Sequence, residues 1–121
     1  MNPKQALPGL RIAIGGGAFL APYTTSRIFG LDPTDNNEAI FLGRLFGIRD
    51  VALGIGQMSS GDDNALWWQL GVICDLGDAL AAVIGLRSGL PKRAGVMSAL
   101  TALAAAGMGI AALNSSGSST E

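Results

Sequence analysis

The sequence predicts an all-α integral membrane protein, four transmembrane helices in a compact antiparallel bundle. Three observations predict it. The chain has 121 residues, of which 49% are hydrophobic and only 14% charged. Its apolar residues gather into four runs of membrane length, separated by short polar stretches. Lastly, the charges that interrupt those runs are of both signs, so they are able to neutralise one another inside a bundle. The four runs make a single domain over residues 1–113, followed by a Ser/Gly-rich stretch at 114–121 that reads as a flexible polar tail.

The fourth run is the cleanest. Residues 94–113 contain no charge and, as a helix, cross a hydrocarbon core of about 30 Å. The third, 66–86, is as long but carries Gln69, Asp75 and Asp78. The second, 39–58, carries Arg44, Arg49 and Asp50. In the first, only 15 uncharged residues separate Arg11 from Arg27. A full span therefore needs residues 6–25, with Arg11 snorkelling outward. Gly15-Gly16-Gly17, the position of Arg11 and the lack of a small-x-small cleavage site argue against a removable leader. The glycine triplet reads as a place of close helix packing with a local kink.

The connections carry helix-boundary chemistry. Asp35 to Glu38 has the spacing of a capping box ahead of the second helix. Ser59 to Asn64 is a polar turn with capping residues ahead of the third. Gly89 suits a left-handed helix stop, and Pro91 the first turn of the fourth helix. Arg87, Lys92 and Arg93 form a basic loop expected to face anionic lipid. With Arg27 they put four basic residues on one side against Lys4 and Arg11 on the other, which places both termini outside the cytoplasm. The flanks of the first helix alone argue the reverse. Trp67, Trp68 and Tyr23 suit interfacial belts.

Composition excludes several kinds of chemistry. There is no histidine, so no imidazole base and no His-ligated metal or haem. The lone Cys74 cannot form an internal disulfide or a CxxC site, and reads as a small packing residue. A net charge of −1 gives no field for nucleic acid. No cofactor, metal or catalytic residue is expected, and the chain reads as non-enzymatic.

The interest lies in Arg44, Arg49, Asp50, Asp75 and Asp78. Each costs about 2.5–3.5 kcal/mol at mid-membrane, on the order of 15 kcal/mol for five unpaired. If the second and third helices pair about the turn near Asp62, Arg49 meets the level of Asp75, and Arg44 lies within a turn of Asp78. Arg44 and Arg49 are five apart and cannot address one neighbour, so one reaches another helix, another subunit, a lipid phosphate or an anion. Three carboxylates against these two guanidiniums leave room for one protonated carboxyl. Small residues run beside the charges: Gly43, Gly47 and Gly54 on the second helix, Gly71, Ala82 and Gly85 on the third, Gly95, Ala102 and Gly109 on the fourth. Such stripes let helices approach closely in lipid.

The stretch Gly43-Arg44-Leu45-Phe46-Gly47-Ile48-Arg49-Asp50-Val51-Ala52-Leu53-Gly54, then Asp75-Leu76-Gly77-Asp78-Ala79 and Gly89-Leu90-Pro91-Lys92-Arg93, resembles a family of small bacterial, especially actinobacterial, four-helix membrane proteins of unknown function. The resemblance covers residues 39–113. It implies a four-helix fold in the bacterial plasma membrane, with Arg44, Arg49, Asp50, Asp75 and Asp78 as signature positions, and implies no activity.

Two functions compete. One is an accessory or assembly subunit, docking on a larger membrane protein through small-residue helix faces, with membrane lipids as its other partner. The alternative is an oligomeric transporter, or a protein that binds a small solute, anion or proton at the Arg/Asp cluster. Arg44 discriminates: in a water-filled cavity it favours transport, on a carboxylate or neighbouring backbone in a dry core it favours the subunit.

Overall fold

The structure, a computed structural model, describes residues 2–34, 36–59 and 65–119, and in 115–119 the backbone alone. Among the described residues the chain is all-helical: α1 (Pro3–Leu20), α2 (Pro22–Ile28), α3 (Asn37–Ser59), α4 (Leu66–Arg87) and α5 (Lys92–Ser119), with no strand.

Local chemistry explains the boundaries. At the start of α1, the Asn2 side chain accepts from the Lys4 N–H at 3.0 Å, with Pro3 in the first helical position. The first apolar run does not continue as one helix to residue 25. It breaks at Ala21, because Pro22 lacks an N–H and disfavours helical backbone in the residue before it. The glycine triplet itself stays helical. At the start of α3, Asn36 Oδ1 accepts from the Ala39 N–H at 3.1 Å, so the cap falls on Asn36. Asp35 of the expected capping box lies outside the described residues, as does the expected 60–64 turn. Gly89 takes a φ of +106°, and the Leu90 N–H closes back on the Gly85 carbonyl at 2.8 Å, stopping α4. The Pro91 carbonyl then accepts from Gly95 to begin α5. That helix runs through 114–119, which we expected to be a tail; extending an existing helix needs no new nucleus.

The four long helices run alternately up and down, but their close pairs are not those expected. α1 lies along α3 and α4 along α5, while α3 and α4 touch at few points. Glycine decides the first pair. A Cβ on Gly15 would lie 2.5 Å from the Gly47 carbonyl, and one on Gly47 would lie 2.5 Å from the Gly15 carbonyl. Gly54 likewise meets the Pro8 carbonyl and Ile12. The small-residue stripe of α3 thus docks on α1 and not on α4. In the second pair, Gly95 sits under Leu86 and Gly109 against Val72. Gly71 faces Arg11, Gly85 faces Leu90, and Ala82 and Ala102 are buried. Of the small residues expected to pack on α3, α4 and α5, only Gly43 has nothing within 4 Å of where a Cβ would be; in the glycine triplet of α1, expected to pack closely, Gly16 likewise has open space beside it.

The two pairs meet tightly at one end, where Leu7, Trp68 and Ala112 form a buried cluster with Ala105, Met108 and Leu113 against it. Trp68, expected in an interfacial belt, belongs to this core because its face of α4 turns toward α1 and α5. Towards the opposite end the pairs stand apart, so the bundle is not compact throughout. There α2 and the turn after it form the roof, with Gly30 (φ +82°) seated on Arg93. Large apolar side chains cover the outside, among them Phe41, Ile48, Ile73, Leu80 and Leu100, all more than half exposed. Among the described residues, two helices, Leu66–Arg87 and Lys92–Asn114, are long and apolar enough to cross a membrane.

Candidate functional site

At mid-height the helices are tied by charge, and the hub is a residue we expected to face outward. Arg11 on α1 is only 3% exposed. Its NH2 donates to Asp75 Oδ2 at 2.6 Å, and its NH1 donates both to Asp75 Oδ1 at 3.0 Å and to Asp50 Oδ1 at 3.2 Å. One guanidinium therefore grips α4 with a two-pronged fork and α3 with a single bond. Glycines make the room. A Cβ at Gly71, one turn before Asp75, would lie 2.8 Å from Arg11 NH2, and one at Gly15 would lie 2.9 Å from the Asp50 Cβ.

A second pair lies beside the triad. Arg49 NH2 donates to Asp78 Oδ2 at 2.7 Å and NH1 to Asp78 Oδ1 at 3.2 Å, with side chains 37% and 32% exposed. The Arg49 guanidinium also lies 4.8 Å from the centre of the Phe46 ring, one turn earlier. Arg44 joins neither group. It is exposed, and its Nε donates to the Phe19 carbonyl at 3.1 Å.

The expected pairings are therefore corrected. Arg49 pairs with Asp78 and not with Asp75, and Arg44 does not approach Asp78. The cause is the third helix. Asp75 is taken by Arg11 on α1, and α3 meets α4 in a register about three residues, or ~4.5 Å, from the simple hairpin. Four of the five expected residues still come together. Arg11 was missed, although one signal marked it: adding Arg11 balances the charges within the apolar runs at three of each sign.

These groups border a cavity of about 680 Å³ between the helix pairs. Leu10 and Ile14 of α1, Phe29 beyond α2, Leu42 and Phe46 of α3, and Met108 of α5 give it apolar walls. α5 adds the Ser98 and Thr101 hydroxyls, and Asp32 and Asn36 stand at the roof. From α4 it receives two residues only, Asp75 and Asp78, and with Arg11 and Asp50 they form its charged side. Arg49–Asp78 is neutral as a pair, whereas Asp50–Arg11–Asp75 carries a formal charge of −1. The Nε atoms of Arg11 and Arg49 are buried and have no hydrogen-bond partner among the described residues. No group of three His, Cys, Asp or Glu placed to hold a metal ion occurs among the described residues.

Arg87, Lys92 and Arg93 are exposed at the roofed end, the end that also carries Arg27. Cys74 is half-buried on α4. At the roof, Asp32 is fully exposed and accepts from the Thr34 N–H at 3.0 Å, which holds its carboxyl below the ordinary carboxylate range. The arrangement is one of small-molecule-site dimensions, apolar walls and a short arc of fixed charge. The chain matches no protein-family model, no curated protein and no solved structure.

Proposed function

We propose that this chain is a non-enzymatic, multi-pass protein of the bacterial plasma membrane that binds a small solute between its helix pairs, with the Arg/Asp network as the polar end of the site. The observation that carries this reading is the cavity itself: about 680 Å³ of mainly apolar space with four charged residues on one side. A network that only set helix register would be served by a filled core. In this reading α1 and α3 cross the membrane beside α4 and α5; the outward-facing apolar side chains on α3 and the inward placement of its Asp50 support it for α3. With Arg11 buried, the basic count becomes Arg27, Arg87, Lys92 and Arg93 at the roofed end against Lys4 at the other, which supports termini outside the cytoplasm.

A specific observation favours the accessory-subunit reading as well. Arg44 is exposed on α3, outside the cavity lining, with its Nε on the Phe19 carbonyl of α1. A neighbouring transmembrane protein with a carboxylate would meet a cation there. The wider support for that reading weakens, because the small-residue positions of α3, α4 and α5 other than Gly43 are taken up inside the chain.

Native mass spectrometry of the protein, tagged at its chromosomal locus and extracted gently from its own membrane, separates the two. A monomer or homo-oligomer that retains a reproducible small molecule supports solute binding. A stoichiometric larger protein in the complex supports the subunit.

A further inference from the structure

Electroneutrality narrows the occupant. The charged groups lining the cavity are Arg11 from α1, Asp50 from α3, Asp75 and Asp78 from α4 and, at the solvent-exposed roof, Asp32, while α5 offers only the Ser98 and Thr101 hydroxyls; Arg49 stands behind Asp78, outside the lining. Arg49 and Asp78 neutralise each other. The remainder is one guanidinium between two carboxylates, nine-tenths or more buried, whose Oδ1 atoms both lie within hydrogen-bond distance of the same nitrogen. In a low-dielectric setting a net negative charge of this kind needs a compensating positive one.

Geometry says where it goes. Asp75 has both oxygens in the Arg11 fork, whereas Asp50 is held by a single 3.2 Å bond and its Oδ2 takes no hydrogen bond among the described residues. Asp50 borders the cavity, with Phe46 one turn above it on the same helix. A carboxylate oxygen, an aromatic ring and apolar walls recognise a positive charge carried on a greasy body. An anion would meet the carboxylates first.

We infer that the cavity takes a singly charged amphipathic cation, and that the cation exchanges for a proton held on the Asp50–Arg11–Asp75 triad. The inference rests on the solute-binding reading above. The exchange balances: a neutral carboxyl gives its proton to water as the cation enters, and the resulting carboxylate pairs with the cation. No bond other than O–H breaks and nothing is oxidised. Occupied or empty, the site then stays neutral overall.

The test uses the full chain in lipid nanodiscs and three probes of similar shape: tetraphenylphosphonium, tetraphenylborate and neutral triphenylphosphine oxide. Calorimetry should show saturable binding of the phosphonium alone. Its affinity should rise about tenfold per pH unit while the triad is protonated, with one proton released per cation. Infrared difference spectra of the unaltered protein should lose a protonated-carboxyl band as phosphonium is added. Asp50→Asn should abolish the proton release and weaken phosphonium binding by tenfold or more. Should that variant fail to fold, the infrared measurement decides. Phosphonium binding without proton release overturns the exchange. Binding of the borate or the oxide in its place overturns the cation assignment and leaves solute binding standing. Saturable binding of none of the three removes the solute-binding reading together with the inference.

Discussion

The two ionic groupings lie one helical turn apart on α4 and differ in every property that decides what a buried charge does. Arg11 is 3% exposed, links three helices and serves two carboxylates. Arg49 is 37% exposed, links two helices and serves one. The second pair is balanced and partly solvated, so it contributes little and tolerates loss. The first is unbalanced and buried, so each member depends on the others. The difference teaches that salt bridges do not count alike. Burial sets how much a charge group costs to break, and its stoichiometry sets whether it answers to a proton or a ligand.

The largest expected effect follows from removing the hub. Arg11→Met leaves two carboxylates facing each other without a cation and should destabilise the fold by about 3–5 kcal/mol. Denaturant-induced unfolding in detergent would measure it. Changing Asp50 and Asp75 to Asn as well should recover most of the loss, since neutral amides tolerate one another. A stable Arg11→Met protein would break the comparison, because Arg11 would then be no more important than Arg49.

A change that alters no charge sharpens the same contrast. Gly15 is one turn from Arg11, and a methyl group there would press on the Gly47 carbonyl and on the Asp50 Cβ. Gly15→Ala should push α1 off α3 and lift Arg11 from Asp50, at a cost of about 1–3 kcal/mol. Gly43→Ala, with open space beside it, should be neutral or stabilise by up to ~1 kcal/mol, since alanine is the better helix former. Equal effects of the two substitutions would show that the helices do not meet where the glycines put them.

The legible parts of this molecule were those written in local sequence. The ends of α4 and the start of α5 follow from Gly89 and Pro91, and the charged residues of α3 and α4 announce themselves by interrupting apolar runs. What the sequence concealed is non-local. Small residues mark a face that packs closely but do not say against which helix, so the stripe of α3 read equally well as a seam for α4 or for α1. A guanidinium near a helix end reads as snorkelling, and only the third helix's approach reveals that Arg11 points inward. The cavity was invisible for a related reason: it is the space left when α3 takes α1 and α4 takes α5.

A double-mutant cycle gives a smaller effect and a direct test of the corrected pairing. Arg49→Ala and Asp78→Asn should each cost about 1 kcal/mol or less, with a coupling of the same order that shrinks as salt is added. Arg49→Ala with Asp75→Asn should come closer to additive, because Asp75 bonds Arg11 and not Arg49. A stronger coupling to Asp75 than to Asp78 would restore the simple hairpin and remove the distinction between the two groupings.

Asp32 supplies the weakest effect and a reference for the other carboxylates, since no hydrogen bond from a cation holds it. Fully exposed beyond α2, it is stabilised as an anion by the backbone N–H of Thr34 first, and only marginally by Arg27. Its folded pKa is depressed, so what it adds to the α2–α3 turn is complete above the unfolded value of about 3.9 and is lost as pH falls through the folded value. Amide exchange at Thr34, corrected for intrinsic rates, should therefore stay constant through neutral pH and quicken only at strongly acidic pH. Asp32→Asn keeps an acceptor oxygen in place and should flatten that acid response. If the exchange instead changed near neutrality, the turn would be answering to a different group. The comparison would then have to include a coupling between the roof and the triad beneath it.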